Sequence, residues 1–348
     1  MNMKEIGAVF SSLADTGEPP LIAQLARASW LTGVAKSAVR LEIFTKLRGG
    51  KRSSAWIASQ LEANPTHTRE ILNSCVSIGL LEQVGDEYQN AEVSALYLVK
   101  GEPNYFGEAF TYLASLGSLF DQVDTAMLSG KEMSHEEEFQ SEDDEAAYWR
   151  HYMLAMNQWG GGAQQQLLLE NADLAGKKKM LDVGAGSGVY TVAFCRRYPD
   201  LSGVLFDQEK ALPVARSIIE TEGLSKQIST LAGDYYVDPF GDDYDAVLFS
   251  GVLIQEPIDG QLRLLKKAYE SMNSGGLIIV QDVLKVGRYT ETIPKIALES
   301  LVASVFYGGA GGVVSGEDTA EILKSAGFTS PRQIPLPGVY SIVTAVKP

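Results

Sequence analysis

One segment, Lys178–Val189 with the sequence KKMLDVGAGSGV, constrains the fold more than any other. Its apolar run predicts a short buried strand, and glycines follow at alternate positions, Gly184, Gly186 and Gly188, just before a helical pattern. Glycine lacks the Cβ atom that would keep a small molecule off the backbone, and free N–H groups at a helix start favour an anionic group. The segment therefore predicts a turn over a ligand that carries a carboxylate or a phosphate.

The spacing of the glycines helps to identify the ligand. A dinucleotide-binding fingerprint requires G-x-G-x-x-G, but Val189 stands where its third glycine would be. The pattern present is D-x-G-x-G-x-G from Asp182, which resembles motif I of the class I S-adenosylmethionine (SAM) methyltransferases. The alternative at this point is a glycine-rich turn without a ligand.

Composition and charge indicate a globular protein that does not bind nucleic acid. The 348 residues suffice for two domains, and 45% are hydrophobic. Residues 1–100 contain ten basic and ten acidic residues, so the other 19 basic and 34 acidic residues, from totals of 29 and 44, carry the whole net charge of −15. Such a surface repels a phosphate backbone. The densest acidic run, Glu132–Glu145, is interpreted as a solvated loop.

The sequence predicts a cytoplasmic protein without a membrane span. No apolar stretch is long enough to cross a bilayer, and the first twelve residues do not form a signal peptide. The two cysteines, Cys75 and Cys195, fall in predicted helices of different domains. We therefore expect no disulfide and no metal site.

Residues 1–100 have the pattern of a winged-helix domain. Helices are predicted over 23–47, 53–61 and 65–81, and a hairpin over 81–91 around Gly85-Asp86. Many winged helices bind DNA, but the helix that would read bases offers only His67 and Arg69 as cationic groups, too few for phosphate and base contacts. We expect a dimerisation module, with a ligand-binding DNA-binding regulator as the alternative.

Residues 101–170 are predicted to form a helical linker and a wall of the substrate site. Long helices are expected over 106–127 and 146–170, the second interrupted by Gly160-Gly161-Gly162. The second helix carries an aromatic and methionine stripe, which usually belongs to a core. Its position just before the glycine turn also favours contact with a substrate. The stripe consists of Tyr148, Trp149, Tyr152, Met153, Met156 and Trp159.

Strands and helices alternate over residues 171–348, which predicts an α/β domain. Seven strands are expected at 179–184, 203–207, 228–233, 244–250, 276–282, 330–335 and 339–346, and helices at 188–198, 209–222, 259–273, 290–306 and 317–326. The last two strands are joined by Leu336-Pro337-Gly338, a type II turn signal, so the final strand should run antiparallel to the others. SAM methyltransferases have such a sheet, and dinucleotide-binding Rossmann domains do not.

Acidic residues end two further strands. Asp207 follows the second strand, where a carboxylate can accept both hydroxyls of a ribose. Asp234 follows the third, and Tyr235 beside it offers a flat surface for adenine. Each could instead be a helix cap or a turn residue. Their places at the carboxyl ends of neighbouring strands support a shared nucleoside site.

Together these features resemble the SAM-dependent small-molecule O-methyltransferases of bacteria and plants, which carry a winged-helix dimerisation domain before a Rossmann-like SAM domain. The matching segments are Leu181–Gly188, Phe206-Asp207, Gly233–Tyr235, Asp245–Leu253, Gly275-Gly276 and Ala326–Phe328. The resemblance implies a homodimer through the N-terminal domain. It also implies that Gly184 and Gly186 support the methionine end of SAM, Asp207 the ribose, and Asp234 and Tyr235 the adenine. Asp182 and Ser250, within the matched segments, complete the predicted cofactor site.

The sequence departs from this family where a general base is expected. O-methylating members usually have a stretch like V-L-H-D-W after the fourth strand, but here it is Val252–Glu256, VLIQE, with Ile254 at the histidine position. None of the three histidines, His67, His135 and His151, is an obvious replacement. A positioned base contributes roughly 10²–10⁴-fold in rate, so a simple phenol or alcohol substrate is disfavoured.

We therefore expect methyl transfer to a small, largely apolar planar metabolite at carbon or at an already ionised oxygen, as in pigment or secondary-metabolite biosynthesis. The branch that C-methylates bacteriochlorophyllide, which this sequence resembles in DAVLF, KKAYESMNSGG and AVKP, also lacks the histidine. The candidate proton acceptors are Tyr152 and Glu256, the latter equally readable as a surface residue. The predicted substrate pocket consists of Tyr148, Tyr152, Met156, Trp159, Ile254 and Tyr307.

Two questions stay open in the sequence. SAM could bind without giving up its methyl group and act electrostatically, as in a cyclase, a pericyclase or a hydroxylase-like enzyme. The segment Gly308–Gly312 could be a lid over the pocket or a passive linker.

Overall fold

The computed structural model describes residues 17–131, 133, 139–284, 294–306, 314–336 and 340–348. The chain divides into two compact units, Met1–Ser118 and Leu119–Pro348. The domain boundaries that we placed at 100 and 170 stay predictions. No helix among the described residues is long and apolar enough to span a membrane.

The first unit contains a winged helix, as predicted. Its three short strands form an antiparallel sheet in the order β1-β3-β2. The elements are α1 (Pro20–Arg40), α2 (Ile43–Lys46), β1 (Arg52–Ser53), α3 (Ser54–Leu61), α4 (Pro65–Ser77), β2 (Leu81–Val84), β3 (Glu87–Asn90) and α5 (Glu92–Tyr97).

Local chemistry sets the helix boundaries of this unit. Glu42 adopts a left-handed backbone conformation with φ of 53°, which ends the helix predicted over 23–47 and starts α2 as a separate turn. The side chain of Asn64 accepts the backbone N–H groups of Thr66 and His67 and so caps α4, which begins with a proline. Phe44 and Leu72 are fully buried in the core that these helices share.

The long helix predicted over 106–127 is wrong, because three helices occupy this segment. They are α6 (Gly107–Ser115), α7 (Gly117–Phe120) and α8 (Val123–Ser129). The N–H of Leu116 donates to the carbonyls of both Tyr112 and Leu113, which tightens the last turn of α6. Gly117, a poor helix former, follows this turn. Apolar periodicity alone does not reveal such breaks.

The second unit is a seven-stranded α/β sandwich. Its elements are α9 (Glu142–Gly160), α10 (Ala163–Asn171), β4 (Lys179–Val183), α11 (Val189–Arg197), β5 (Ser202–Asp207), α12 (Leu212–Thr221), β6 (Ile228–Ala232), β7 (Tyr244–Ser250), α13 (Ile258–Ser271), β8 (Met272–Val283), α14 (Pro294–Phe306), α15 (Gly316–Ser325), β9 (Thr329–Pro335) and β10 (Tyr340–Val346). The strand order is β6-β5-β4-β7-β8-β10-β9.

The sheet confirms the predicted topology. Strands β4 to β8 pair in parallel, and β10 runs antiparallel to both β8 and β9. The central strands are continuous apolar runs because helices cover both faces of the sheet. Leu181 and Phe249 are buried on one face, and Leu248 and Ile279 on the other. The carboxyl ends of the parallel strands therefore meet at one edge, where ligands bind in open α/β sheets.

Part of the acidic run is helical rather than a loop. Residues 142–145 form the first turn of α9, where the side chain of Ser141 accepts the N–H of Asp144. Acidic side chains are favourable at this end of a helix dipole. The predicted break at Gly160–Gly162 is present between α9 and α10. Tyr307, Gly308–Gly312 and His135 lie outside the described residues.

Candidate functional site

The glycine turn after β4 is attached to the end of β5. The N–H groups of Gly184 and Ala185 donate to the carbonyl of Phe206 at 2.9 and 3.2 Å, and the N–H of Gly186 donates to Oδ2 of Asp207 at 2.7 Å. Gly184 and Gly186 have φ of 64° and 55°, a left-handed conformation in which a Cβ is strained. The turn and the carboxylate predicted to bind ribose thus form one unit.

Asp182 lies beneath this turn, inside the protein. It is buried, and Oδ2 accepts a hydrogen bond from the hydroxyl of Thr191 at 2.7 Å. Burial raises the pKa of Asp182 to about 7, with a further increase from the charge of Asp207, while the Thr191 hydrogen bond opposes the shift. This buried hydrogen bond therefore ties the first turn of α11, which contains Thr191, to the end of β4, from which the glycine turn starts.

Asp207 occupies a half-buried position at the end of β5. Burial raises its pKa, and the backbone N–H groups of Gly186 and Gln208 oppose that shift. Oδ1 accepts the N–H of Gln208 at 2.7 Å. The carboxylate is thereby fixed in orientation at the edge where the parallel strands end.

Asp234 shapes the loop after β6. Its Oδ1 accepts the N–H of Tyr236 at 2.8 Å, and its own N–H donates to Oδ2 of Asp238 at 2.8 Å. Lys267, on α13, donates to the carbonyl of Tyr235 at 2.9 Å. The loop that carries both predicted adenine residues is therefore hydrogen-bonded within itself and to a helix.

Glu256 is buried, which corrects its interpretation as a surface residue. Only 2% of it is exposed, and Oε1 accepts the hydroxyls of Tyr235 at 3.1 Å and Tyr236 at 2.5 Å. Burial raises the pKa of the Tyr235 hydroxyl. The carboxylate therefore points at two tyrosines of the β6 loop.

Ile254 lies in a short 3-10 helix, Leu253–Gln255, after β7. Its side chain packs with Tyr340 against Val283, and its N–H donates to Oδ2 of Asp282 at 3.1 Å. The position at which relatives with V-L-H-D-W have histidine is therefore half-buried and apolar here.

Asp282, at the end of β8, is a buried carboxylate that the sequence prediction missed. It accepts the N–H of Val283 at 2.9 Å and that of Ile254 at 3.1 Å, and it bonds the backbone of Leu253. Burial raises its pKa to about 7, these backbone bonds oppose the shift, and the charge of Glu299 adds to it. It ends an apolar strand just as Asp207 does, and this signal could have identified it.

The aromatic side chains of α9 form a contiguous group near the glycine turn. The rings of Tyr148 and Tyr152 stack with centroids 6.3 Å apart, and Trp149 contacts Tyr152 edge-on at 5.7 Å. Met153 belongs to the predicted stripe but not to the predicted substrate pocket, and a Cβ added at Gly186 would lie 3.6 Å from its sulfur. Met153 follows Trp149 by four residues, which places both on one helix face.

Of the remaining residues predicted to line the substrate pocket, Met156 and Trp159 lie on α9, and Tyr307 is outside the described residues. Met156 and Trp159 are half-buried on α9, and Tyr152 packs beside Met153 against Ala211 and Val214 of the segment that starts α12.

A second hydrogen-bonded group includes Ser250. Its side chain hydrogen-bonds the hydroxyl of Tyr190, which also donates to Gln164 at 3.2 Å and accepts from Gln281 at 3.3 Å. Burial raises the pKa of Tyr190 to about 12. Tyr190, just after the glycine turn, was not predicted because one tyrosine in a helix has no distinctive spacing.

Within the described residues, no three His, Cys, Asp or Glu side chains lie close enough to hold a metal ion. Cys75 and Cys195 are buried free thiols, one in α4 and one in α11.

The sequence matches two family models. Residues 129–329 match the O-methyltransferase domain, and residues 23–100 match the O-methyltransferase dimerisation domain.

Individual relatives agree with this assignment. The chain is 26% identical over 340 residues to 3-hydroxy-5-methyl-1-naphthoate 3-O-methyltransferase of Streptomyces sahachiroi, covering 94% of this chain and 95% of the relative. It is 31% identical over 118 residues to bacteriochlorophyllide d C-20 methyltransferase of Chlorobaculum tepidum, covering 34% and 35%.

Among solved structures, human N-acetylserotonin methyltransferase in complex with SAM superposes with a TM-score of 0.82 at 22% identity, covering 96% of this chain and 99% of that one. This likeness supports the fold. Because the O-methyltransferase domain model matches more than half of the chain, this protein belongs to the O-methyltransferase family and is a SAM-dependent methyltransferase.

Proposed function

We propose that this enzyme methylates a small, largely apolar planar metabolite without a histidine base, at carbon or at an oxygen that is already ionised. The observation that carries the proposal is the environment of Ile254, whose side chain packs with Tyr340 against Val283 at the position of the usual base. An apolar side chain cannot accept a proton.

The nearby carboxylates support this proposal because their hydrogen bonds hold them elsewhere. Glu256 accepts two tyrosine hydroxyls in the interior, and Asp282 accepts backbone N–H groups, including that of Ile254. Tyr152, the other candidate, lies against Trp149 and Tyr148 in an aromatic group. We assign none of these three as the general base. An activated acceptor needs only proximity and alignment with the methyl group.

The residues at the strand ends fit the cofactor of this family. At Gly186 the backbone is open apart from the Met153 sulfur, so a small molecule can approach the turn, and Asp207 presents a fixed, half-buried carboxylate. When bound, SAM supplies an electrophilic methyl group on a positively charged sulfur. We assign Gly184, Gly186 and Ser250 to the methionine end, Asp207 to the ribose, Asp234 and Tyr235 to the adenine, and Asp182 to support of the turn.

The aromatic group on α9 supports a flat acceptor. Rings of Tyr148, Trp149 and Tyr152 lie within 6.3 Å of one another, and Met153 approaches the glycine turn. Aromatic faces and thioethers favour planar apolar partners. The relatives named above act on a naphthoate and on a bacteriochlorophyllide, both ring systems, which agrees with a metabolite of this shape.

Two measurements test the proposal. The enzyme with SAM and a panel of planar aromatic acceptors should give products heavier by one methylene, with one S-adenosylhomocysteine (SAH) formed per product. The rate with a carbon acceptor should be independent of pH through the histidine range, near pH 6.5, and with an oxygen acceptor should follow the acceptor's own ionisation. Because the pKa values of Asp182 and Asp282 are also about 7, the same profile is measured in Asp182→Asn and in Asp282→Asn. A rate limb near pH 6.5 that appears with every acceptor and persists in both variants would contradict a mechanism without a histidine-like base.

Comparison with known proteins does not favour the two alternatives from the sequence. The relatives are methyltransferases, so a SAM-binding enzyme that retains the methyl group has no added support. Residues 23–100 match a dimerisation domain. We propose that the protein forms a homodimer through this domain and that the domain does not bind nucleic acid. The exposed Arg69 of α4 pairs with Glu70, which further weakens phosphate binding. A cytoplasmic location stays our expectation from the sequence.

A further inference from the structure

The loop after β6 is held by a buried carboxylate from the loop after β7. The hydroxyls of Tyr235 and Tyr236 both donate to Oε1 of Glu256, at 3.1 and 2.5 Å. We call these three residues the Glu256 cluster. Glu256 is 2% exposed and Tyr236 is 59% exposed, so a ring at the surface reaches a carboxylate in the interior.

The protein is shaped to receive this carboxylate. A Cβ added at Gly260, in the first turn of α13, would lie 2.5 Å from Oε2 of Glu256, so a side chain there would displace the carboxylate from its present position. The carbonyl of Glu256 accepts the side chain of Gln261 at 3.1 Å. The backbone of Glu256 is therefore hydrogen-bonded to α13, and its side chain lies against the first turn of that helix.

The Glu256 cluster joins two loops that surround the proposed cofactor site. One loop carries Asp234, whose Oδ1 accepts the N–H of Tyr236. The other loop contains Val252, whose Cγ2 lies 2.6 Å from the place where Gly184 would have a Cβ. A shift of Glu256 would therefore change the position of Asp234 relative to the glycine turn.

We propose that Glu256 is a positioning residue for the nucleoside end of the cofactor, acting through the hydroxyls of Tyr235 and Tyr236. The inference rests on the proposed assignment of Asp234 and Tyr235 to the adenine.

Calorimetric titration of the full-length protein with SAH tests the proposal. Glu256→Ala should weaken SAH binding roughly 10- to 100-fold, since two hydrogen bonds to a charged group are lost. Glu256→Gln keeps an acceptor oxygen and should recover much of that loss. The double variant Tyr235→Phe, Tyr236→Phe keeps both rings and should weaken binding as Glu256→Ala does. Glu270→Ala, on the exposed side of α13, is the matched control and should bind like the wild type.

Coupling between the substitutions separates positioning from a general loss of stability. If Glu256 acts through the two hydroxyls, adding Glu256→Ala to the double phenylalanine variant should change SAH affinity by less than about two-fold, although Glu256→Ala alone weakens it at least about ten-fold. Independent effects that simply multiply would overturn the inference, as would wild-type affinity in Glu256→Ala. Failure of the wild-type protein to bind SAH would overturn the proposed function instead.

Discussion

The backbone N–H of Gly186 donates a 2.7 Å hydrogen bond to Oδ2 of Asp207, so the glycine turn after β4 and the carboxylate at the end of β5 hold each other in place. Gly186 lies in the turn that follows β4, and Asp207 is the last residue of the neighbouring parallel strand β5, 21 positions later in the chain. A hydrogen bond to an ionised acceptor is stronger than one between neutral groups. This contact makes the turn and the carboxylate a single preformed surface.

Substitution of Gly186 separates ligand binding from folding. Gly186→Ala adds a methyl group whose nearest neighbour is the Met153 sulfur at 3.6 Å, an ordinary contact, so the stability loss should be only the left-handed strain of about 1–2 kcal/mol. The methyl group would occupy the open side of the turn, and we expect SAH binding to weaken at least about ten-fold. Urea unfolding and calorimetry measure the two effects.

Gly188→Ala provides the contrast to that variant. A Cβ at this position would lie 2.4 Å from Cδ1 of Leu205 at a φ of 75°, so the loss of stability should exceed that of Gly186→Ala. Equal stability losses in the two variants, or unchanged SAH binding by Gly186→Ala, would contradict our assignment of the turn.

The buried carboxyl of Asp182 should make stability depend on pH. Its pKa is raised to about 7 in the folded protein from about 4 when unfolded, so the unfolded state gives up its proton first. The protonated Asp182 carboxyl therefore contributes fully to the free energy of unfolding below about pH 4, and this contribution is lost as pH rises to about 7. Asp182→Asn should reduce the slope of unfolding free energy against pH in this window, by at most about 1.4 kcal/mol per pH unit.

The Thr191→Val variant tests the cause of that dependence. In the wild type the Thr191 hydroxyl donates to Asp182 at 2.7 Å and lowers the pKa of Asp182. Without this hydroxyl the pKa of Asp182 should rise further, so the loss of stability should extend to higher pH. Asp282, whose pKa is also about 7, should leave part of the slope in Asp182→Asn. A slope unchanged by either substitution would show that Asp182 titrates as it does when unfolded.

The residues at the strand ends could be predicted from the sequence because each signal lies within a few neighbouring residues. An apolar run followed by glycine or aspartate places a strand and the chemistry at its carboxyl end within a few residues, as at Asp182, Gly186 and Asp207. The seven strands followed from apolar runs of this kind, and the antiparallel direction of β10 followed from the turn signal Leu336-Pro337-Gly338. The missed features depend on distant partners. Burial of Glu256 requires tyrosines 20 and 21 positions earlier, and no local pattern contains that information.

Asp282 should hold the loop that replaces the usual base. Asp282→Ala removes an acceptor from the buried N–H of Val283, at a cost of about 1–3 kcal/mol, and from the partly buried N–H of Ile254, at a smaller cost. We expect lower stability and faster amide hydrogen exchange over Leu253–Gln255. Asp282→Asn keeps one acceptor oxygen and should lie between the wild type and the alanine variant. Unchanged exchange in Asp282→Ala would exclude this role.

Tyr152 should contribute its ring and not its hydroxyl. Tyr152→Phe keeps the ring that contacts Tyr148 and Trp149, so methylation should stay within about two-fold of wild type. Tyr152→Ala removes the ring and should raise the KM for the acceptor. A fall of 10²-fold or more in kcat for Tyr152→Phe would instead identify the hydroxyl as a proton acceptor.

The exposed apolar side chains of α1 should form part of a dimer interface. Leu21, Ile22, Leu25 and Trp30 are 61–65% exposed on this one helix, beside a dimerisation-domain match that starts at residue 23. Monomeric proteins rarely leave such a group in contact with water. Leu25→Asp places a charge in it and should convert a dimer to a monomer in light scattering coupled to size exclusion. Leu128→Asp, at a residue that is 89% exposed outside the match, is the control and should leave the dimer intact. A monomeric wild type, or dissociation by Leu128→Asp alone, would exclude α1 as the interface.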